Sequence, residues 1–119
     1  MLERLLVTGA AGGVANLLRP RLDGVSKKFR LTDIRHFVSA SDLDETMIGD
    51  LADSAFVDQL VQGCDGILHL GGVSTEQPFD EILPANIVGV YNIYRSAAKY
   101  GRPRVIFASS NHVTGAYRT

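Results

Sequence analysis

The stretch Leu5 to Ala15, Leu-Leu-Val-Thr-Gly-Ala-Ala-Gly-Gly-Val-Ala, constrains this chain more than any other, because it joins a strand to a helix through a run of small residues. The apolar run Leu5, Leu6, Val7 is too short for a buried helix and stops at Gly9, so it reads as a parallel strand covered on both faces. A helix starts near Gly12. Gly9 supplies a tight turn between the two, and Gly12 removes the Cβ that would keep a ligand off the backbone. The N–H groups at the helix start are then open to an anion, helped by the positive end of the helix dipole, which makes the joint a cradle for phosphate. The spacing is Gly9-x-x-Gly12-x-x-Ala15, and alanine at the last position is small enough for close helix-to-strand packing.

Glycine-rich joints also occur as ordinary strand-to-helix turns, and what distinguishes this one is an acidic residue at the end of the next strand. Leu17, Leu18 and Leu22 fall on one face of the helix after the loop, the face expected to meet a sheet. Pro20 weakens or ends that helix, with Asp23-Gly24 a turn beyond it. Phe29 to Thr32 reads as the second strand, and Asp33 closes it about twenty residues past the loop, where a carboxylate meets the adenosine ribose of a dinucleotide. An Asp there accepts from the ribose hydroxyls and repels a 2′-phosphate, which selects NAD over NADP. Arg35 is expected to stack beside the adenine.

His36 to Ser41 has no periodicity and reads as a polar connection, and Glu45 to Gly49 as a short third strand leading to Asp50-Leu51. Ser41-Asp42 and Asp44-Glu45 read as a solvated charge cluster. Asp50, at a strand end, is suited to accept from the adenine amino group. Phe56, Val57, Leu60 and Val61 form a helical stripe capped by Asp53 or Ser54. Gly66-Ile-Leu-His-Leu-Gly-Gly runs from a buried strand into two glycines, so His69 reads as a core histidine. Gly71-Gly72 leaves a side-chain-free backbone at the carboxyl end of the strand beside the first, where a cofactor lies across the switch point. Ser74 faces the same crevice. Pro78 to Tyr100 reads as a long helix interrupted at Pro84, with Ile87, Val90, Tyr91 and Tyr94 as a core or oligomer stripe and Asn86 beside it, free to bond nearby backbone. Arg104 to Ala108 is the fifth strand, ending in Ser109-Ser110-Asn111-His112. No nucleophile elbow surrounds that Ser and His, so acyl transfer is disfavoured against a serine that binds a substrate oxygen.

The totals narrow the partners. A chain of 119 residues, 45% apolar, suits one domain with its own core. Twelve Lys plus Arg against 13 Asp plus Glu favour neither a nucleic-acid backbone nor an anionic membrane, which leaves a small molecule. No apolar run approaches a membrane span and the start has no signal-peptide pattern, so a cytoplasmic location is expected. Cys64 is the only cysteine, which excludes an internal disulfide and a cysteine-rich zinc site, and no metal is expected.

The opening loop resembles the Thr-Gly-x-x-Gly-x-x-Gly loop of extended short-chain dehydrogenases/reductases, with Ala15 at the last glycine. With His69-Leu-Gly-Gly-Val-Ser74 and Phe107-Ala-Ser-Ser-Asn-His-Val-Thr-Gly115, the whole chain resembles the NAD-dependent uronate dehydrogenases within that superfamily. The resemblance implies a Rossmann-type α/β fold, a doubly wound parallel sheet of strand order 3-2-1-4-5 ending after the fifth strand, with residues 1–119 forming an NAD-binding domain. It implies oxidation of a hexuronate, galacturonate or glucuronate, to an aldarolactone with hydride passing to NAD. By the same resemblance Gly9, Gly12, Gly13 and Val14 hold the diphosphate. Asp33, Ile34, Arg35, Asp50 and Leu51 hold the adenosine, and Leu70, Gly71 and Gly72 back the nicotinamide side. Ser110 matches the catalytic serine, and Ser74, Ser110, Asn111 and His112 match substrate-binding positions. The family's Tyr-x-x-x-Lys is missing: Tyr91, Tyr94 and Tyr100 are followed four residues on by Arg95, Ala98 and Arg104. In the family this pair supplies the base, so the 119-residue chain alone is expected to be inactive, an amino-terminal part without its substrate lobe. A homo-oligomer is expected of the full-length protein, and self-association of the shortened one through the edge of the fifth strand. Two alternatives share the loop: a nucleotide-sugar epimerase or dehydratase, and a non-catalytic NAD-binding module.

Overall fold

A computed structural model describes residues 1–39 and 41–109, and in it the strand-to-helix joint of the opening residues is the centre of a five-stranded sheet. The strands are β1 (Leu2–Thr8), β2 (Ser26–Asp33), β3 (Asp44–Ile48), β4 (Gly66–His69) and β5 (Arg104–Phe107). Their order is β3-β2-β1-β4-β5 and every pairing is parallel. The chain therefore leaves β1 toward one edge, returns after β3, and leaves toward the other, which makes the carboxyl ends of β1 and β4 the switch point. In the register Val7 lies between Leu31 and Leu68, and Thr8 between Thr32 and His69.

Alternation along β1 sends side chains to both faces, and each face has its own core. On one, Leu6 and Ile67 pack with Val57, Leu60 and Val61 of α2 (Ser54–Val61) and with Ile93 and Ala97 of α4 (Gly89–Lys99). On the other, Leu5, Val7, Phe29 and Leu31 pack with Ala10 and with Ala15 of α1 (Gly13–Leu18). Fully buried side chains such as Leu6, Leu60 and Phe29 each contribute about 1.5–3 kcal/mol. Asp53 caps α2 as expected, its carboxylate accepting from the N–H groups of Ala55 and Phe56. Cys64 is a buried free thiol that donates to the Leu60 carbonyl, and burial pushes its pKa up.

Several elements differ from the sequence reading. α1 ends at Leu18 and tightens into a 3₁₀ turn, Arg19–Leu22, which carries Pro20. Leu17 is consequently exposed while Ala15 takes the buried place. β1 and β2 begin earlier than their apolar runs because the parallel ladder, once started, pairs polar residues too, such as Leu2 with Ser26 and Arg4 with Lys28. β3 is displaced by one residue, Asp44–Ile48 in place of Glu45 to Gly49.

The solvated charge cluster is overturned at Asp44, while Glu45 is exposed. The Asp44 side chain is 1% exposed and ion-paired to Arg19, and it accepts from the Ser39 hydroxyl as well. Glu45 accepts from Arg30 at 2.9 Å. Arg30 in turn donates to the carbonyls of Leu60 and Gln62, both at 2.7 Å, and so closes the carboxyl end of α2.

The long helix is made of three parts: α3 (Phe79–Ile82), a wider π-type turn (Leu83–Val88) and α4. Pro84 starts the widening, and the Gly89 N–H reaches back five residues to the Pro84 carbonyl. Of the apolar stripe Ile87, Val90, Tyr91 and Tyr94, only Val90 is half-buried; the other three are exposed and not core. The face of α4 turned inward carries Asn92, Ile93, Ser96 and Ala97. Its polar members have partners there: Asn92 donates to the Leu51 carbonyl at 2.8 Å, and Ser96 bonds Asp58 of α2. Among the described residues no helix is long and apolar enough to cross a membrane.

Candidate functional site

The carboxyl ends of the central strands open on a groove of about 700 Å³. Its wall is built from four loops. Gly9, Gly12, Gly13 and Val14 come from the joint after β1, and Asp33, Ile34 and Arg35 from the end of β2. Asp50 and Leu51 follow β3, and Leu70, Gly71, Gly72 and Ser74 follow β4. The sequence-derived cofactor residues thus line one groove, and Ser74 lines it with them. Ser110, Asn111 and His112 lie outside the described residues.

Local chemistry explains why the loops meet so closely. Gly9 has φ +70, and a Cβ built on it would lie 2.8 Å from the Gly71 nitrogen and from the Leu70 carbonyl carbon. Only glycine satisfies both the left-handed turn and that approach. The Gly12 N–H returns to the Gly9 carbonyl at 2.9 Å, and the first bond of α1 runs from Asn16 N–H to the Gly12 carbonyl at 3.0 Å. The N–H groups of Gly13, Val14 and Ala15 precede that bond and have no intrahelical acceptor, which leaves donors at the groove wall for an anion.

Asp33 is held from two sides. One carboxylate oxygen accepts the Ala11 N–H at 2.9 Å and the other the Arg35 N–H at 3.0 Å, with the Arg35 guanidinium 3.7 Å away. The Asp33 side chain is 8% exposed and that of Arg35 66%, so the carboxylate is fixed while the cation is free to move. Each carboxylate oxygen keeps a further lone pair, enough to accept from a vicinal diol. Asp50 spends one oxygen differently, accepting the Ala52 N–H at 2.9 Å in the turn that leads to α2.

The stretch of wall that follows β4 depends on Thr8, whose part the sequence reading missed. Its hydroxyl oxygen accepts the N–H groups of Leu70, at 3.0 Å, and Gly71, at 2.9 Å. Its proton is therefore directed to His69 Nδ1, 2.6 Å away. That geometry makes Nδ1 the acceptor and puts the ring proton on Nε2, the neutral tautomer. His69 is fully buried, stacked on Phe107 with centroids 5.6 Å apart, and burial lowers its pKa to about 4. It stands behind the wall and not in it, as a core histidine. A threonine at a strand end has many uses, and only the fold identifies this one. Beyond Gly72, Val73 also lines the groove, as do Glu81, Pro84 and Ala85 from the interrupted helix. Among the described residues no group of three or more His, Cys, Asp or Glu side chains is placed to hold a metal ion.

Known proteins share this fold. The uronate dehydrogenase of Pseudomonas syringae pv. tomato is 54% identical over 117 residues, which are 98% of this chain and 42% of that protein. The crystal structure of glucuronic acid dehydrogenase from Chromohalobacter salexigens superposes with a TM-score of 0.94 at 53% identity, over 98% of this chain and 44% of that one. A mutant of the uronate dehydrogenase from Agrobacterium tumefaciens, complexed with NAD, superposes with a TM-score of 0.92 at 49% identity, over 97% and 43%. The chain thus spans less than half the length of these relatives. The family model for the NAD dependent epimerase/dehydratase family matches residues 5–119, from the middle of β1 onward. With that match over nearly its whole length, on a parallel sheet of order 3-2-1-4-5, the chain belongs to the NAD dependent epimerase/dehydratase family.

Proposed function

We propose that this chain is the NAD-binding part of an oxidoreductase that oxidises hexuronates, galacturonate or glucuronate, to aldarolactones. The observation that carries the reading is the groove itself. A glycine-rich loop after β1, an anchored carboxylate at the end of β2 and a glycine platform after β4 line one groove together with Ser74. Uronate dehydrogenases at 48% to 56% identity across the chain support the substrate class.

The parts divide the work. Backbone at Gly9, Gly12, Gly13 and Val14 binds the diphosphate, since the three glycines have no Cβ to hold it away and the first-turn donors, Val14 N–H among them, face it. Asp33 accepts from the adenosine ribose hydroxyls and disfavours a 2′-phosphate. Ile34 and Arg35 flank the adenine, and Asp50 and Leu51 bound the far side of that pocket. Leu70, Gly71 and Gly72 form the surface behind the nicotinamide. NAD, when bound, accepts the hydride. Ser74, Ser110, Asn111 and His112 orient the sugar, with Ser110 on the oxygen that becomes a carbonyl. The hydroxyl proton must go to a base near neutral pKa, and no tyrosine of this chain has a lysine four residues on. The 119 residues alone therefore bind NAD without turning a uronate over.

A chimera joining this chain to the remaining length of the Agrobacterium fabrum uronate dehydrogenase, 48% identical to it, tests the substrate class. NADH formation from galacturonate or glucuronate, and none from UDP-glucose, is expected. Preference for UDP-glucose would refute the free hexuronate in favour of a nucleotide sugar.

A further inference from the structure

The interrupted helix carries a side chain aimed at the groove from behind. Asn86 sits in the π-type turn that Pro84 opens, and its amide is committed at both ends to one residue of the β4 loop. Its Oδ1 accepts the Val73 N–H at 2.7 Å and its Nδ2 donates to the Val73 carbonyl at 2.9 Å. Val73 lines the groove and Asn86 does not. The two-bond match is that of neighbouring strands, so it fixes the Val73 peptide in rotation as well as in distance. The adjoining residue is shaped by the same contact, for a Cβ on Gly72 would lie 2.8 Å from Asn86 Oδ1.

From this we infer that Asn86 is a positioning residue for the nicotinamide end of the groove, acting through the Val73 backbone. The inference rests on the NAD reading above. Two side chains divide the control of the strap from Leu70 to Ser74. Thr8 holds the N–H groups of Leu70 and Gly71 against β1, and Asn86 holds Val73 against the helix. Between them Gly72 is carried across the crevice, and Ser74 is delivered to its far end. The phosphate loop and Asp33 lie on other elements and owe nothing to Asn86. Its effect is thereby confined to ligands long enough to reach the strap.

A pair of ligands separates this role from general support of the fold. ADP reaches the phosphate loop and Asp33 only, whereas NAD extends to Gly72 and Ser74. Binding of both to this chain is measured by calorimetry in the wild type and in Asn86→Leu. NAD affinity is expected to fall about tenfold, from the loss of two hydrogen bonds that hold the strap, with ADP affinity unchanged within about twofold. Equal losses for the two ligands, or none for either, would overturn the inference while leaving the NAD reading in place. A folded wild type that binds neither ligand would overturn the NAD reading and this inference with it. If Asn86→Leu does not fold, Asn86→Asp takes its place under the same criteria, because it keeps an acceptor for the Val73 N–H and turns a carboxylate on the Val73 carbonyl.

Discussion

Acid is expected to act on this fold through His69. The ring is fully buried, and its Nδ1 already takes the Thr8 proton, because the Thr8 oxygen is occupied by the N–H groups of Leu70 and Gly71. A second proton on the ring would place a donor against a donor at a fully buried position. Burial accordingly lowers the folded pKa from 6.5 to about 4. The unfolded chain binds this proton first, so the stability it withholds is complete above pH 6.5 and is lost as pH falls toward 4. Half of the folded molecules carry the proton at the lower limit, and the loss there is on the order of 3 kcal/mol. Urea midpoints measured from pH 7 to pH 4 in the wild type and in His69→Gln test this, since Gln keeps an acceptor for Thr8 and does not titrate. The wild type is expected to lose about 3 kcal/mol more than the variant across that window. Parallel curves would refute the assignment of a neutral, buried imidazole. Asp65 belongs to a lower window: burial pushes its carboxyl up, but the N–H groups of Glu3 and Arg4 more than reverse this and leave the pKa lowered. Its contribution is therefore lost only as pH falls below the usual carboxylate value.

Other expectations rest on single contacts. Gly9→Ala forces alanine into φ +70 with its Cβ 2.8 Å from the β4 backbone, so it is expected to cost well over about 1 kcal/mol and to abolish NAD binding. Urea unfolding and calorimetry read the two effects. Arg30→Leu leaves the Leu60 and Gln62 carbonyls at the end of α2 without their charged donor and is expected to destabilise by about 3 kcal/mol in urea unfolding. β5 lies at one edge of the described sheet with Ile106 60% exposed, so the 119-residue chain is expected to self-associate in sedimentation. Ile106→Lys is expected to shift it toward monomer.

What the sequence made legible was chemistry carried by consecutive residues. The phosphate loop, the Asp at the end of β2 and the paired glycines after β4 each declare themselves within a few positions, and the parallel order joins them. What escaped were choices settled by distant partners. Asp44 looked solvated because nothing near it in sequence is basic; its cation is Arg19, 25 positions earlier. Along the interrupted helix hydropathy selected Ile87, Val90, Tyr91 and Tyr94 over the face that is buried, because Asn92 and Ser96 look polar until Leu51 and Asp58 are found opposite them. Thr8 carries no signal of its own in the sequence, and its hold on Leu70 and Gly71 appears only when β1 and β4 are laid side by side. Pro84 was legible as an interruption, but not the wider turn that turns Asn86 onto Val73.

The central claim is that the groove beside Gly9 and Asp33 takes NAD in preference to NADP. Titration of both nucleotides into this chain, wild type and Asp33→Ala, measures it directly. Saturable NAD binding is predicted, with weaker NADP binding in the wild type and a narrower gap in the variant, where no carboxylate faces the added phosphate. A folded chain that binds no NAD, or that binds NADP as tightly, would contradict the account.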